Sequence, residues 1–362
     1  MKTRSILMTT LCSLMMGMGF AGCNENDEPE ATIGPMEKLT YILNEGLWEA
    51  NNANISAFIS KPGHQVKHVF NIYETNNAGK MGDVANAMIK EDDYIYVVLN
   101  GSGYVGKLDL TTKEQARYSL NNPRCIDVED GYAYVTQHGG KVTKLNVKDM
   151  SLVETTPQIG DNLEGIIEKD GKLYVANAWK SVNNFNKEIL VIDAKTMDKI
   201  DSISVALNPV TVKEIDDKIY VISQGNYYDV PASFQVINTQ NNTSKIILND
   251  VSKITKGHNG LIYGVKSITD WSTTPASYAH TFFSYNPKTD KVSETSFLKE
   301  VPSTLNTTDI YLLEVDEETG YIYVGTSDYQ NSGTIYQFDK NGKFIQSFDS
   351  GGVNPSAMIF ID

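Results

Sequence analysis

Glu129-Asp130-Gly131-Tyr132-Ala133-Tyr134-Val135 sets an acidic, glycine-ended turn directly before a short apolar strand, and this arrangement recurs along most of the chain. The strand returns as Tyr94-Ile95-Tyr96-Val97, Lys172-Leu173-Tyr174-Val175, Lys218-Ile219-Tyr220-Val221, Leu261-Ile262-Tyr263-Gly264 and Tyr321-Ile322-Tyr323-Val324, with a further copy at Leu39-Thr40-Tyr41-Ile42. From Tyr96 the tyrosines of this slot step by 38, 40, 46 and 43 residues, then by 60. The turns read as two-residue hairpins. After each apolar strand come a variable loop, a third strand such as Val105-Gly106-Lys107-Leu108-Asp109, a second turn and a fourth strand. Four short antiparallel strands in a period of roughly 40 residues specify a propeller blade. The long final step fits an insertion around Leu298 to Thr307.

Such repeats bury their faces only by stacking around an axis. The chain end shows how the ring closes. Asn354-Pro355-Ser356-Ala357-Met358-Ile359 resembles the first strands that begin Asn122-Pro123 and Asn208-Pro209. Proline is tolerated there because it stands at the strand's first residue, where no ladder bond is lost. The C-terminal strand is therefore expected to complete the blade begun at Leu39, leaving no exposed edge. The reading is one all-β, seven-bladed β-propeller domain over residues 39–362.

A different chemistry precedes it. Met1-Lys2-Thr3-Arg4 is basic, Ile6 to Phe20 is apolar but short for a membrane span, and Ala21-Gly22 places small residues before Cys23. Residues 1–22 read as a lipoprotein signal, with lipidation at Cys23. Residues 23–38, rich in Asn, Glu and Asp, read as an acidic tether without structure of its own. The formal charge is −14, and loss of Lys2 and Arg4 with the signal makes it −16. A phosphate backbone is repelled by that field, so nucleic acid is excluded as a partner. Cys12 leaves with the signal and Cys23 takes the lipid, which leaves Cys125 as a small hydrophobe in an apolar strand.

The loops carry the functional reading. All three tryptophans follow a strand of the repeat, in the connections between second and third strands. Those connections are uneven and aromatic, offering Trp48 with Asn51 and Asn52, Asn177 with Trp179, Gln224 with Tyr227 and Tyr228, Trp271 with Tyr278, and Asp328 with Tyr329. Blade topology gathers them on the same face as the inter-blade segments, which add Arg124, Glu164 and Asn208, while His138 sits in a neighbouring turn. Aromatic planes beside amide side chains suit a large, neutral, partly apolar ligand, supplying stacking area and directional hydrogen bonds. Together these sixteen residues form the expected ligand-binding set.

Catalytic patterns are poor by comparison. The five histidines show no metal-ligand spacing, and His64 with His68 falls on a strand and not on one helical face. Gly101-Ser102-Gly103 lacks the spacing of a nucleophile elbow. Glu45, Glu164 and Asp328 are placed to approach one another at the channel mouth, where carboxylates do acid/base work or bind calcium. Neither a catalytic residue nor a cofactor is assigned, and the expectation is binding without turnover.

The blades, for instance Leu173-Tyr174-Val175-Ala176-Asn177 followed by Ile189-Leu190-Val191-Ile192-Asp193, resemble those of surface-layer-type and YncE-like seven-bladed propellers over nearly the whole mature chain. The acidic run after Cys23 resembles the surface-export signal of Bacteroidota lipoproteins. Lipobox, blades and Trp/Tyr/Asn loops together resemble the BtuG-type surface lipoproteins. That resemblance implies capture of cobalamin (vitamin B12) at the outer-membrane surface and handover to a TonB-dependent transporter of BtuB type. The residues alone leave open a glycan-binding or adhesive propeller, and a propeller hydrolase or lyase.

Overall fold

A computed structural model describes residues 38–60, 66–270, 272–273 and 276–361. The signal, Cys23, His64 and Trp271 lie outside the described residues. Among the described residues, apart from a short helix, Ile72–Asn76, and a 3-10 turn, Ser303–Thr307, the elements are seven antiparallel sheets of four strands each. Blade 2 runs Ala85–Glu91, Tyr94–Leu99, Tyr104–Asp109 and Glu114–Ser119, and blade 3 runs Pro123–Glu129, Tyr132–Gln137, Lys141–Asn146 and Leu152–Thr155. The inner strands of blades 4 to 7 are Asn162–Lys169, Pro209–Ile215, Val251–Lys256 and Asp309–Val315. Blade 1 is built from both ends of the chain, with Pro355–Ile361 innermost and paired to Lys38–Asn44, so that Leu39 faces Ile361 and Leu43 faces Ala357.

The repeat has a packing cause. A second strand is covered on both faces by the neighbouring blades, so it carries an unbroken apolar run in place of alternation. Ile95, Tyr96, Val97, Val98 and Leu99 are accordingly all buried. The outermost strands alternate or lie open, as in Glu114–Ser119 and Leu152–Thr155. The expected two-residue turns occur in blades 2 to 5, where Asp130-Gly131 and Asp170-Gly171 take the paired positive φ values that a right-twisted hairpin needs. Blades 6 and 7 depart from that expectation and use the longer segments 257–261 and 316–321. The insertion expected near Leu298–Thr307 holds the 3-10 turn, which buries Leu298 and Leu305 against Tyr263 and Phe282.

Neighbouring blades are also tied by buried lysines. Lys107 donates its Nζ to Val147 O at 2.6 Å and lies 3.6 Å from the Tyr94 ring centroid. Lys144, at the matching position one blade on, reaches Ala194 O at 2.7 Å and the Tyr132 ring at 4.1 Å. Each ammonium thereby caps a carbonyl in the next blade's turn while resting on an aromatic face.

At the seam where blades 7 and 1 meet, His68 packs edge-on to Phe70 and Phe348, with ring centroids at 5.5 and 5.0 Å. Its Nε2 is buried without a hydrogen-bond partner, and desolvation holds its pKa below 6.5, against a smaller opposing pull from Asp349. A histidine kept neutral in the fold takes up a proton on unfolding at low pH. Its contribution is therefore complete above pH 6.5 and is lost as pH falls from there toward the folded value. Urea midpoints measured between pH 8 and 5 are expected to decline below pH 6.5, and His68→Phe should flatten that part of the decline. Removal of Pro355–Ile361 should abolish the cooperative thermal transition seen by circular dichroism, because it strips the inner strand from blade 1 and exposes the edge of Lys38–Asn44.

Candidate functional site

Every inner strand carries a one-residue register shift near the end where it enters the blade. In blade 2, Ala85 faces Leu99 while Ala87 faces Val98, leaving Asn86 extra. The same break falls at Val210 between Pro209 and Thr211, at Ser252 between Val251 and Lys253, at Tyr311 between Ile310 and Leu312, and at Ser356 between Pro355 and Ala357. In blades 3 and 4 it spans Arg124-Cys125 and Glu164-Gly165. A bulge places two residues opposite one and re-aims a side chain. Seven in equivalent positions place Asn86, Arg124, Glu164, Val210, Ser252, Tyr311 and Ser356 around the channel mouth, one per blade.

Two carboxylates organise this ring. Glu164 accepts Arg124 Nε at 3.0 Å on one oxygen and is 2.9 Å from His138 Nε2 on the other. Burial alone would raise its pKa, but Arg124 and His138 reverse that and hold it below 4.5. Glu45, on the loop after Lys38–Asn44, accepts the Tyr311 hydroxyl and Asn86 Nδ2, the latter at 3.0 Å. Here burial prevails and raises the pKa above 4.5, offset in part by Tyr311, Arg124 and Lys253. Lys253 stands beside the blade 6 bulge with its Nζ 5.3 Å from the Tyr311 ring centroid, and desolvation lowers its pKa. Deeper in the channel Glu314 takes Lys213 Nζ at 3.3 Å and Thr255 Oγ1 at 2.9 Å. Beneath the mouth lies a cavity of about 900 Å³ that reaches Asn86, Ser252, Lys253, Tyr311 and Ser356.

Aromatic side chains stand above the ring. Trp179 meets His138 edge-on at 5.5 Å, which joins it to the Glu164 cluster, and Phe185 meets Tyr227 edge-on at 5.8 Å. Tyr227, hydrogen-bonded to Gln224 and Asn208, is 69 % exposed, and Tyr228 is 94 % exposed. Their loop is rigid: Asn226 Oδ1 accepts the backbone N–H groups of Tyr228, Asp229 and Val230. Gly225 is required at its base, since it holds φ +66° and a Cβ there would lie 1.9 Å from Val230 O. Trp48 is likewise exposed. On the other side Tyr329 packs edge-on to Tyr311 and donates to Asp309 Oδ2 at 2.6 Å, while Tyr278 faces His280 at 6.1 Å.

The structure corrects several assignments. Asn177, Trp179 and Tyr278 are not in loops, because Lys172–Ser181 with Asn184–Asp193, and Ile262–Asp270 with Ser277–Asn286, continue as long hairpins. Asn177 is buried and fully used, accepting from Asp161 N and donating to Glu188. Asn52 accepts from Leu47 N, and Asn51 engages Asp83 through its backbone, so both shape the Trp48 loop. Asp328 does not join Glu45 and Glu164, because its oxygens accept Gln330 N, Asn331 N and Asn331 Nδ2 within its own loop. Asn208 is buried beneath Tyr227, with its Oδ1 unpartnered. Among the described residues no group of His, Cys, Asp and Glu is arranged to hold a metal ion. Cys125 lies next to Arg124 in the bulge, and burial pushes its thiol up to about 12, so it is held protonated. Asn86, Lys253, Tyr311 and Ser356 were missed in the sequence, although aligning the residue after each strand's opening position would have collected Asn86 and Ser356.

No family model matches the chain, and neither does any curated protein. Solved structures do. A hypothetical selenium-binding protein from Sulfolobus tokodaii superposes with a TM-score of 0.62 at 10 % identity, over 90 % of this chain and 96 % of that one. Hydrazine synthase from Kuenenia stuttgartiensis gives 0.57 at 16 % identity, over 69 % of this chain and 74 % of that one. Apo AztD from Citrobacter koseri gives 0.50 at 14 % identity, over 86 % and 82 %. At such identities the likeness is one of β-propeller fold.

Glu164 supplies a direct test of the ring. Glu164→Gln removes the carboxylate paired directly with Arg124 and should destabilise the protein by roughly 3 kcal/mol at pH 7 in urea titrations. Because the folded pKa of Glu164 is depressed, its contribution is complete above pH 4.5 and is lost as pH falls through the folded value. The gap between wild type and variant should close over that range.

Proposed function

We propose that this propeller is a ligand-capture protein whose binding face is the mouth built by the seven bulges. The supporting observation is the pairing of two layers, a ring with one side chain from each blade, polar in all but blade 5, and an aromatic rim above it. Directional groups at the ring fix a ligand's orientation, and the rim supplies stacking area held rigid before binding. The carboxylates of Glu45 and Glu164 are both engaged by neighbouring donors, so the reading is binding without turnover.

The ligand class this arrangement fits best is a corrinoid, cobalamin in particular: a broad, methyl-rich plate rimmed by amides, set against Trp179, Phe185, Tyr227 and Tyr228. With the leader read as a lipoprotein signal, the protein would be tethered through Cys23 to the outer membrane, facing outward, and would hand its ligand to a TonB-dependent transporter. The exposure of Trp48 and Tyr228 favours a second reading, since isolated flat aromatics also stack on sugar faces. Calorimetry with cyanocobalamin separates the two. Binding should be measurable at micromolar ligand, should weaken about tenfold or more in Trp179→Ala with Tyr228→Ala, and should resist competition by oligosaccharides. No heat at micromolar cyanocobalamin overturns the corrinoid reading, and displacement by an oligosaccharide supports the glycan one.

A further inference from the structure

Two buried polar atoms at the mouth have no hydrogen-bond partner among the described residues, and a partly exposed lysine lines the same cavity. Asn86 gives its Nδ2 to Glu45, which fixes its Oδ1 as an acceptor, and that oxygen is buried with no donor. Ser356 Oγ, on the adjoining inner strand, is also buried and unpartnered. Lys253 rests near the Tyr311 ring and has no hydrogen-bond acceptor among the described residues. All three line the same cavity. They are also connected, because Tyr311 lies under Lys253 and donates to Glu45, which in turn holds Asn86. Buried polar atoms are nearly always satisfied, so two such orphans around a cavity mark where a guest completes the network.

The surrounding charge decides what kind of guest. Lys253 is faced by Glu45, Asp309 and Glu314, with Lys213 the opposing cation. A carboxylate or phosphate entering there would meet two ammoniums, of which Lys213 is already paired with Glu314, against three carboxylates. A neutral group that both accepts and donates meets no such penalty. We propose that the channel mouth contains a carboxamide subsite, in which Lys253 and the Ser356 hydroxyl donate to the amide oxygen and Asn86 Oδ1 accepts the amide N–H. This deepens the capture reading and rests on the mouth being the binding face, but not on which ligand the mouth takes. Amides of a corrinoid rim and the acetamido groups of N-acetylated sugars present the same chemistry.

Saturation-transfer NMR on the full chain tests the subsite with propionamide and propionate as probes. Propionamide should receive saturation and propionate should not. The propionamide signal should vanish in Lys253→Met and in Asn86→Ala, each checked for fold by circular dichroism, with Ser356→Ala as the substitute should either fail to fold. Absence of a propionamide signal in wild type, an equal signal from propionate, or a signal unchanged in the variants overturns the proposal. Competition then identifies the source: cyanocobalamin displacing propionamide better than its monocarboxylate derivative assigns a corrinoid amide, and N,N′-diacetylchitobiose doing so better than chitobiose-derived glucosamine assigns an acetamido group. A propionamide signal that neither whole ligand displaces would sink both ligand readings while the subsite stands.

Discussion

The antiparallel pairing of Pro355–Ile361 with Lys38–Asn44 is the contact on which the remainder of the molecule depends. A blade buries both faces only if it has a neighbour on each side, and the ring supplies the last neighbour through this one seam. The same seam also sets the mouth. Glu45 follows directly on Lys38–Asn44, donates its backbone N–H to Asn354 O at 2.9 Å and accepts from Ala85 N at 3.0 Å. Asn354 in turn donates its side chain to Gly46 O at 3.1 Å and accepts from Ser327. Closing the ring and positioning the carboxylate that bridges Tyr311 and Asn86 are therefore one event.

The blades were legible because their signal is local and repeated. A tyrosine buried at the same point of each second strand, set behind a tight turn in blades 2 to 5, needs no knowledge of distant contacts. The mouth was legible only in part. Arg124 and Glu164 were picked out as members of the inter-blade segments, but a bulge is a relation between two strands, and it stays hidden until the register of both is known. The asparagines misled for a related reason. Asn52 and Asn177 have the composition of a binding loop, yet their amides satisfy backbone groups and neighbouring side chains where strands end. Trp179 was assigned to a loop because nothing in its own residues announces that the hairpin continues through its pairing with Phe185.

Charge is distributed against the average of the chain. Acidic residues outnumber Lys and Arg by 45 to 31, yet Arg124, Lys213 and Lys253 all come from inner strands and meet around the axis. Each faces a carboxylate of another blade, Arg124 with Glu164 and Lys213 with Glu314 directly. Low dielectric at the axis makes such pairs more costly to build and more exacting in geometry than pairs on the surface. The outer strands, open to water, carry their charges with no comparable demand on position.

A bulge belongs to the backbone, so the seven positions that it aims inward are fixed whatever side chains occupy them. The present occupants already differ in size, polarity and charge, from Val210 to Arg124, without disturbing the matching register of their strands. Each comes from a separate structural unit and is specified by a separate stretch of chain. The mouth therefore behaves as a dial of seven settings on an unchanging case, in which only neighbours that pair directly, as Arg124 and Glu164 do, are bound to change together.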